Sequence, residues 1–249
     1  MMPDAGLAAP SDLSRKGMVE HVSPENWSLL TPLMEGRQTY QAGTLISTRG
    51  TTLDHSLLLI EGVVARSIPK SNNEHSTFVA LQFTGDFVDP HAFPLKQLDH
   101  DVVAVTNATV AVIQHDALKQ LLDGNIELSR TLWSLTLVDA SIHRHWAMRN
   151  SSMRGFERVA NFFCEIDARL TAATGQQQDS YTIGITQTDI ADATGLTAVH
   201  VNRILKDLRE DGCCTISSGH VTIIDRAQLH RRGSFDPAYL YLPNSDATL

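Results

Sequence analysis

The stretch Ile185 to Gly212, I-T-Q-T-D-I-A-D-A-T-G-L-T-A-V-H-V-N-R-I-L-K-D-L-R-E-D-G, constrains the fold more than any other part of the chain. Thr186 is a good N-cap for a short helix from about Gln187 to Ala193. Gly195 stands where the chain has to turn sharply, a position that favours a residue free to take positive φ. Thr197 caps a second helix that continues to about Glu210 and stops at Gly212. Ala191 is small where the two helices would cross, which lets their backbones approach.

In the second helix Val201, Ile204, Leu205 and Leu208 follow i, i+3, i+4, i+7 spacing and form one apolar stripe. The opposite face carries Val199, Asn202, Arg203 and Lys206. A guanidinium fork, an amide, a cation and one exposed apolar side chain suit base edges and phosphates in a major groove. An ordinary helical hairpin with a solvated charged face would not need both caps, the glycine and the small residue together. Cys213 to Ser217 and Val221 to Ile224 are β-prone runs around a Ser218-Gly219 turn, and Tyr181 to Ile185 is a third run before the motif. A leading strand, two helices and a hairpin make a winged helix-turn-helix.

The net charge of −8 is awkward for a DNA-binding protein. By segment, residues 1–152 carry −5, residues 153–233 carry −1 and the remainder carries −2. The motif-bearing part is nearly neutral, so folding has to cluster its cations on one face. Three cysteines, Cys164, Cys213 and Cys214, fit a reducing cytoplasm better than a disulfide framework. No signal peptide and no membrane span is expected, so the protein is read as cytoplasmic with no membrane partner.

Residues 1–20 are rich in Ala, Pro, Ser and Asp and are expected to be disordered. Pro24 to Leu33 reads as a short helix. From Tyr40 to about Gln114 short β-prone runs alternate with turns: Thr44–Thr48, Ser56–Ile60, Val63–Ile68, Thr77–Phe83, Val102–Val105 and Thr109–Ile113, with a hairpin tip at Ser71-Asn72-Asn73. This is the pattern of a β-sandwich, roll or barrel. Asp116 starts a helical stretch to Leu122, and a long helix follows from about Ile126 to Arg149. Leu128, Leu132, Leu135, Val138 and Ile142 keep an apolar line along it, read as a homodimer seam in preference to an intramolecular core face. Asn150 to Gly155 reads as a hinge, and Phe156 to Ala172 as a further helix. The expected organisation is α+β. An N-terminal antiparallel, jelly-roll-like β-roll (21–125) leads to a dimerisation helix (126–150), a winged helix-turn-helix (151–233) and a loose tail (234–249).

A β-roll, a long helix and then a winged helix-turn-helix resembles the Crp/Fnr family of bacterial transcription regulators, over about Trp27 to Leu229. V-H-V-N-R-I-L-K is similar to that family's recognition helix, and T-L-I-S-T-R-G…L-L-L-I-E-G-V-V-A-R to the roll's glycine-spaced hairpins. The resemblance implies a homodimer on a near-palindromic duplex, with RNA polymerase as a partner if the protein activates. It places Arg203 where the family reads guanine. Thr186, Gln187, Thr197, His200 and Lys206 fall at the DNA-facing surface, most of them where the family touches phosphate. Val199 stands where many members carry a glutamate, so cytosine N4 loses its acceptor and the half-site should differ. Asn202 is assigned a weaker adenine contact.

The sensor region departs from the cyclic-AMP-binding members, which have a Gly-Glu-Leu element and a following Arg-Ser pair. Here the stretches read G-D-F-V-D-P-H-A-F and Q-L-D-H-D-V-V-A-V. Asp86 and Asp89, without the arginine, are expected to repel a cyclic phosphate. The absence of cysteine before Cys164 excludes the four-cysteine iron–sulfur cluster of the oxygen-sensing members. His91, His100, His115, His143 and His145 show no ligand spacing, so no metal or other cofactor is assigned and the effector is open. A haem- or metal-dependent sensor and a non-DNA interaction module are the alternatives. A cupin-type enzyme would need an H-x-H on the roll, which is absent.

Overall fold

A computed structural model describes residues 15–69 and 76–242. The expected hairpin tip at Ser71-Asn72-Asn73 lies outside the described residues, as do residues 1–14 and 243–249. The N-terminal half comprises α1 (Pro24–Leu30), β1 (Met34–Tyr40), β2 (Leu45–Ser47), β3 (His55–Glu61), β4 (Val64–Pro69), β5 (Ser76–Gln82), α2 (Ala92–Leu95), β6 (Asp101–Ala104), β7 (Ala108–Gln114) and α3 (His115–Asp123). The strands form two antiparallel sheets ordered β1-β7-β3 and β2-β6-β4-β5. Leu57, Leu59, Val64, Val102, Ala104, Val110 and Val112 fill the space between them. Period-2 alternation turns Leu58, Ala111 and Ile113 to the other side, where Leu30 of α1 and Leu118 of α3 cover them. The expected β-roll is therefore present, and β1 joins it as an edge strand absent from the sequence reading.

α4 (Ile126–Ser152) is the long helix, and α5 (Gly155–Thr174) follows after two residues. Of the segment Asn150 to Gly155, read as a hinge, only Met153 and Arg154 lie outside the helices. It is pinned by Arg158, whose Nη2 donates to the Met153 carbonyl at 2.8 Å and whose Nη1 donates to the Thr194 carbonyl at 2.9 Å. The C-terminal part is β8 (Ser180–Thr182), α6 (Gln187–Thr194), α7 (Ala198–Glu210), β9 (Cys214–Ser217), β10 (His220–Ile223) and α8 (Arg226–Arg232), with a sheet ordered β8-β10-β9.

Three expectations need correction. First, the apolar line read as a dimer seam is spent inside the chain. Leu128, Leu135, Val138 and Ile142 are buried, and Leu132 is half-buried against the α1–α3 cluster. Burying this stripe against the roll and α5 removes it from water without a second copy. Second, residues 15–20 are packed, with Val19 fully buried in a 3-10 turn over Gly17–His21. Third, the segment read as a loose tail closes onto the body through a 3-10 turn, Pro237–Leu240. Leu240 is fully buried, and the Tyr239 hydroxyl donates to Glu165 Oε2 at 2.8 Å.

One continuous core joins the two halves. It runs from Val63, Ala65, Leu81 and Phe83 of the roll through Trp146 of α4 and Phe162 and Phe163 of α5 to Val201 and Leu208 of α7.

Candidate nucleic-acid interface

Local chemistry fixes α6 and α7 separately before any packing is considered. Thr186 Oγ1 accepts from the Asp189 N–H at 3.2 Å, while Asp189 Oδ2 accepts from the Thr186 N–H at 2.7 Å, so a reciprocal capping box closes the start of α6. Gly195 ends that helix at φ +63°, in the left-handed region, and the Leu196 N–H donates back to the Ala191 carbonyl at 2.9 Å. Thr197 Oγ1 then accepts from the His200 N–H at 3.2 Å and starts α7.

Packing selects which face of α7 meets water. Val201, Ile204, Leu205 and Leu208 are buried, as their spacing requires. Val199, His200, Asn202, Arg203 and Lys206 are exposed, as are Thr186, Gln187 and Thr197, so all eight residues expected at the DNA surface lie on the outside. Val199 is 76% exposed, a high value for an aliphatic side chain with nothing of its own chain to cover it. Asn202 Nδ2 donates to Gln187 Oε1 at 3.1 Å and so ties the two helices across this surface. Lys206 lies 3.6 Å from Glu210, a solvent-screened contact that a phosphate could replace. Arg203 forms no ion pair among the described residues. His200 is more committed than expected: a Cβ built on Gly155 would lie 3.1 Å from its ring, so the imidazole rests against the start of α5.

The wing follows at β9 and β10, whose turn places Ser218 at φ +50° and Gly219 at φ +75°. Two successive positive values are the signature of the hairpin turn that matches strand twist. Asp211, just after α7, is held below the usual carboxylate range by its hydrogen bonds to Arg232, whose Nε donates at 2.6 Å. This pair fastens the end of the exposed helix to α8.

The helix pair also abuts the roll. A Cβ on Gly184, which has φ +65°, would sit 2.6 Å from Thr106 Cγ2 in the β6–β7 turn. Behind it lies a polar cluster that the sequence reading missed. Glu165 of α5 accepts from Trp146 Nε1 at 2.8 Å and from Arg149 Nη1 at 2.9 Å, both on α4. Arg169, one turn along α5, donates to Asp86 of the roll at 2.5 Å. Charges four residues apart on one helix carry no sign of being buried, so only the tertiary fold reveals this set.

The same cluster corrects the account of the sensor carboxylates. Asp86 and Asp89 do not present themselves to a cavity as free anions. Asp86 accepts from the Phe83 N–H at 2.8 Å and from Arg169, and Asp89 accepts from the Leu57 N–H at 3.1 Å. Burial pushes Asp89 up to about 7. An arginine does reach the space between roll and long helix, but from β4. Arg66 donates through Nε to the Val88 carbonyl at 2.9 Å and through Nη1 to both oxygens of Asp139 on α4.

Comparisons with known proteins agree with this geometry. Residues 157–232 match the family model of the Crp-like helix-turn-helix domain, and residues 37–125 match that of the cyclic nucleotide-binding domain. The chain belongs to the Crp/Fnr family. Among curated relatives of this Crp/Fnr protein, the transcriptional activator protein FnrL of Cereibacter sphaeroides is 23% identical over 197 residues, covering 77% of this chain and 78% of the relative. The nitrogen fixation regulation protein FixK of Azorhizobium caulinodans is 26% identical over 132 residues, 53% of each chain. Of solved structures, FixK2 from Bradyrhizobium japonicum aligns with TM-score 0.71 at 20% identity, covering 79% of this chain and 96% of that one. The family consists of transcription regulators, and the α+β order of roll, long helix and helix-turn-helix is the family's fold. Among the described residues, no helix is long and apolar enough to cross a membrane.

Proposed function

We propose that this Crp/Fnr regulator binds duplex DNA as a homodimer, inserting α7 of each copy into successive major grooves about 34 Å apart. The observation that carries the reading is the division of α7: one face is buried in the winged domain, while Val199, Asn202 and Arg203 stand exposed on the other. The guanidinium of Arg203 suits guanine O6 and N7, and Val199 suits a thymine methyl.

The homodimer reading moves to a different face of α4 from the one expected. Ile126, Arg130, Trp133 and Leu137 are exposed and recur at three- and four-residue steps, with exposed Arg144 one heptad beyond Leu137, the 3.5-residue period of a two-helix seam. Trp133 is 65% and Leu137 54% exposed. Pairing two such helices removes both side chains from water and sets the distance between the two copies of α7. An activating member would in addition touch RNA polymerase, through surfaces that have no compositional mark.

Selection of bound duplexes from a random pool, with full-length protein and no added ligand, tests the reading. An inverted repeat with half-sites about one helical turn apart is expected. On that duplex Arg203→Ala should weaken binding by roughly 5- to 150-fold, equivalent to about 1–3 kcal/mol, and relax one base position. No enriched sequence, or wild-type affinity in Arg203→Ala, would remove the assignment of α7 as the reading helix.

A further inference from the structure

His91 lies eight residues before the adjacent pair Asp99 and His100, a spacing that matches no ligand motif, yet the roll folds the three together. His91 stands at the start of α2, and Asp99 and His100 lie in the short segment that leads into β6. One donor atom from each residue lies within 4.8 Å of the others. The two imidazole rings meet edge to face with centroids 5.2 Å apart. Asp99 Oδ1 is already 2.8 Å from His100 Nδ1.

Two independent features point to a ligand. The Nε2 atoms of His91 and His100 are both buried, and neither has a hydrogen-bond partner. Two unpartnered ring nitrogens in one small cluster are costly in a folded protein, and a metal–nitrogen bond is one way of satisfying them. The cluster also opens on a cavity of about 680 Å³ between the roll and α4, whose far wall includes Asp139 and His143. Arg66, which lines the same cavity as does Arg144, is neutralised by its two-pronged pair with Asp139 at 2.7 and 2.9 Å.

We propose that His91, His100 and Asp99 form a binding site for a divalent transition-metal ion. Two imidazoles and one carboxylate suit Zn²⁺, Co²⁺, Ni²⁺ or Fe²⁺ and not the hard, all-oxygen ions Mg²⁺ and Ca²⁺. Binding brings the donors, now within 4.8 Å of one another, to the roughly 3.3 Å that separates neighbouring ligands on a tetrahedral ion with bonds of about 2.0–2.1 Å, and Asp99 exchanges its 2.8 Å contact with His100 Nδ1 for the ion. Neither His91 nor Asp99 is buried, so both side chains are free of full packing constraint. Three protein ligands leave a coordination position for water or a small anion, and all three residues line the cavity. The site consists of roll residues alone, so it stands whether or not the DNA-binding reading does.

Full-length protein stripped with chelator and titrated with Co²⁺, followed by visible absorption, tests the proposal without DNA. One equivalent per chain should produce saturable ligand-field bands that Zn²⁺ displaces, and Mg²⁺ should not compete. His91→Ala and His100→Ala should each weaken binding at least tenfold, and Asp99→Asn should weaken it by tenfold or more. His220→Ala, on the exposed wing strand β10, should leave it unchanged. His100 is buried, so if its alanine variant fails to fold, His91→Ala and Asp99→Asn decide. Absence of saturable Co²⁺ binding to the wild type would overturn the assignment. So would a binding curve that His91→Ala and Asp99→Asn leave in place, since the ion would then sit on other histidines.

Discussion

Glu165 should be the most consequential single side chain for the stability of this protein. It is 2% exposed and receives three short hydrogen bonds, from Trp146, Arg149 and Tyr239, at 2.8, 2.9 and 2.8 Å. Arg149 is fully buried, and its Nε and Nη2 atoms already lack partners, so Glu165 is its only counter-charge within bonding distance among the described residues. The guanidinium also lies 4.6 Å from the centre of the Trp146 ring, a contact that persists when the carboxylate is removed. Glu165→Ala therefore leaves a buried cation unpaired and strands the indole N–H and the phenol. Removing one partner of a buried pair costs about 3–5 kcal/mol. At this chain length that corresponds to a melting temperature lower by roughly 6–20 °C. Replacing both charges with apolar groups of similar size, Arg149→Met with Glu165→Leu, should recover the part of the loss that lies in the unmatched charge and leave the part due to the stranded indole N–H and phenol. Urea unfolding followed by circular dichroism and tryptophan fluorescence, at two protein concentrations, measures all three. A cost below about 1 kcal/mol in Glu165→Ala, or a double variant worse than the single one, would refute the reasoning.

The buried Asp89 titrates near 7 in the folded chain against 3.8 unfolded, so between those values the folded state keeps a proton that the unfolded state releases. Its contribution is fully present below about pH 4 and is lost as pH rises through 7, by up to about 4 kcal/mol. Asp89→Asn keeps an acceptor for the Leu57 N–H and should flatten the fall in melting temperature between pH 5 and 8; an unchanged slope would show that Asp89 is ionised throughout. All three cysteines are buried, and burial raises each thiol, Cys213 to about 11 and Cys214 to about 12. None should react with a thiol reagent at neutral pH until urea unfolds the chain, and fast native labelling of any of them would contradict the packing. Leu137→Lys places a charge on the exposed face of α4 proposed as the dimer seam and should shift sedimentation toward the monomer while the melting temperature stays within a few degrees; a variant dimer as tight as wild type would locate the interface elsewhere.

How much of this was legible beforehand depended on range. The boundaries of α6 and α7 follow from Thr186, Gly195 and Thr197, whose effects reach only three or four residues, and the structure agrees within a residue. β1 went unread because Met34–Tyr40 contains Glu, Gly, Arg and Gln and shows no apolar alternation; it is held by its ladder to β7, a partner some 70 residues away. The long helix carries two stripes at nearly the same period, and periodicity does not say which one faces the protein's own core. Leu128 to Ile142 won the core because the roll and α5 pack against that side. His91 and His100 became neighbours only through the path of the chain around the roll, and nothing nine residues apart in a loop marks that meeting.

The shared core has a consequence for recombination. Families built from a sensor and a reader invite the exchange of one for the other at the junction between them. Here that junction cuts through packed side chains: Phe83 and Asp86 of the roll meet α5, Thr106 leaves no room for a Cβ at Gly184, and Tyr239 returns from the far end of the chain to Glu165. A chimera that grafted residues 151–242 onto a foreign roll would inherit half an interior and a buried arginine with no roll carboxylate opposite it. A working graft would have to carry Phe83, Asp86 and Thr106 along with the reader, so the smallest unit that can move between proteins is larger than the winged domain.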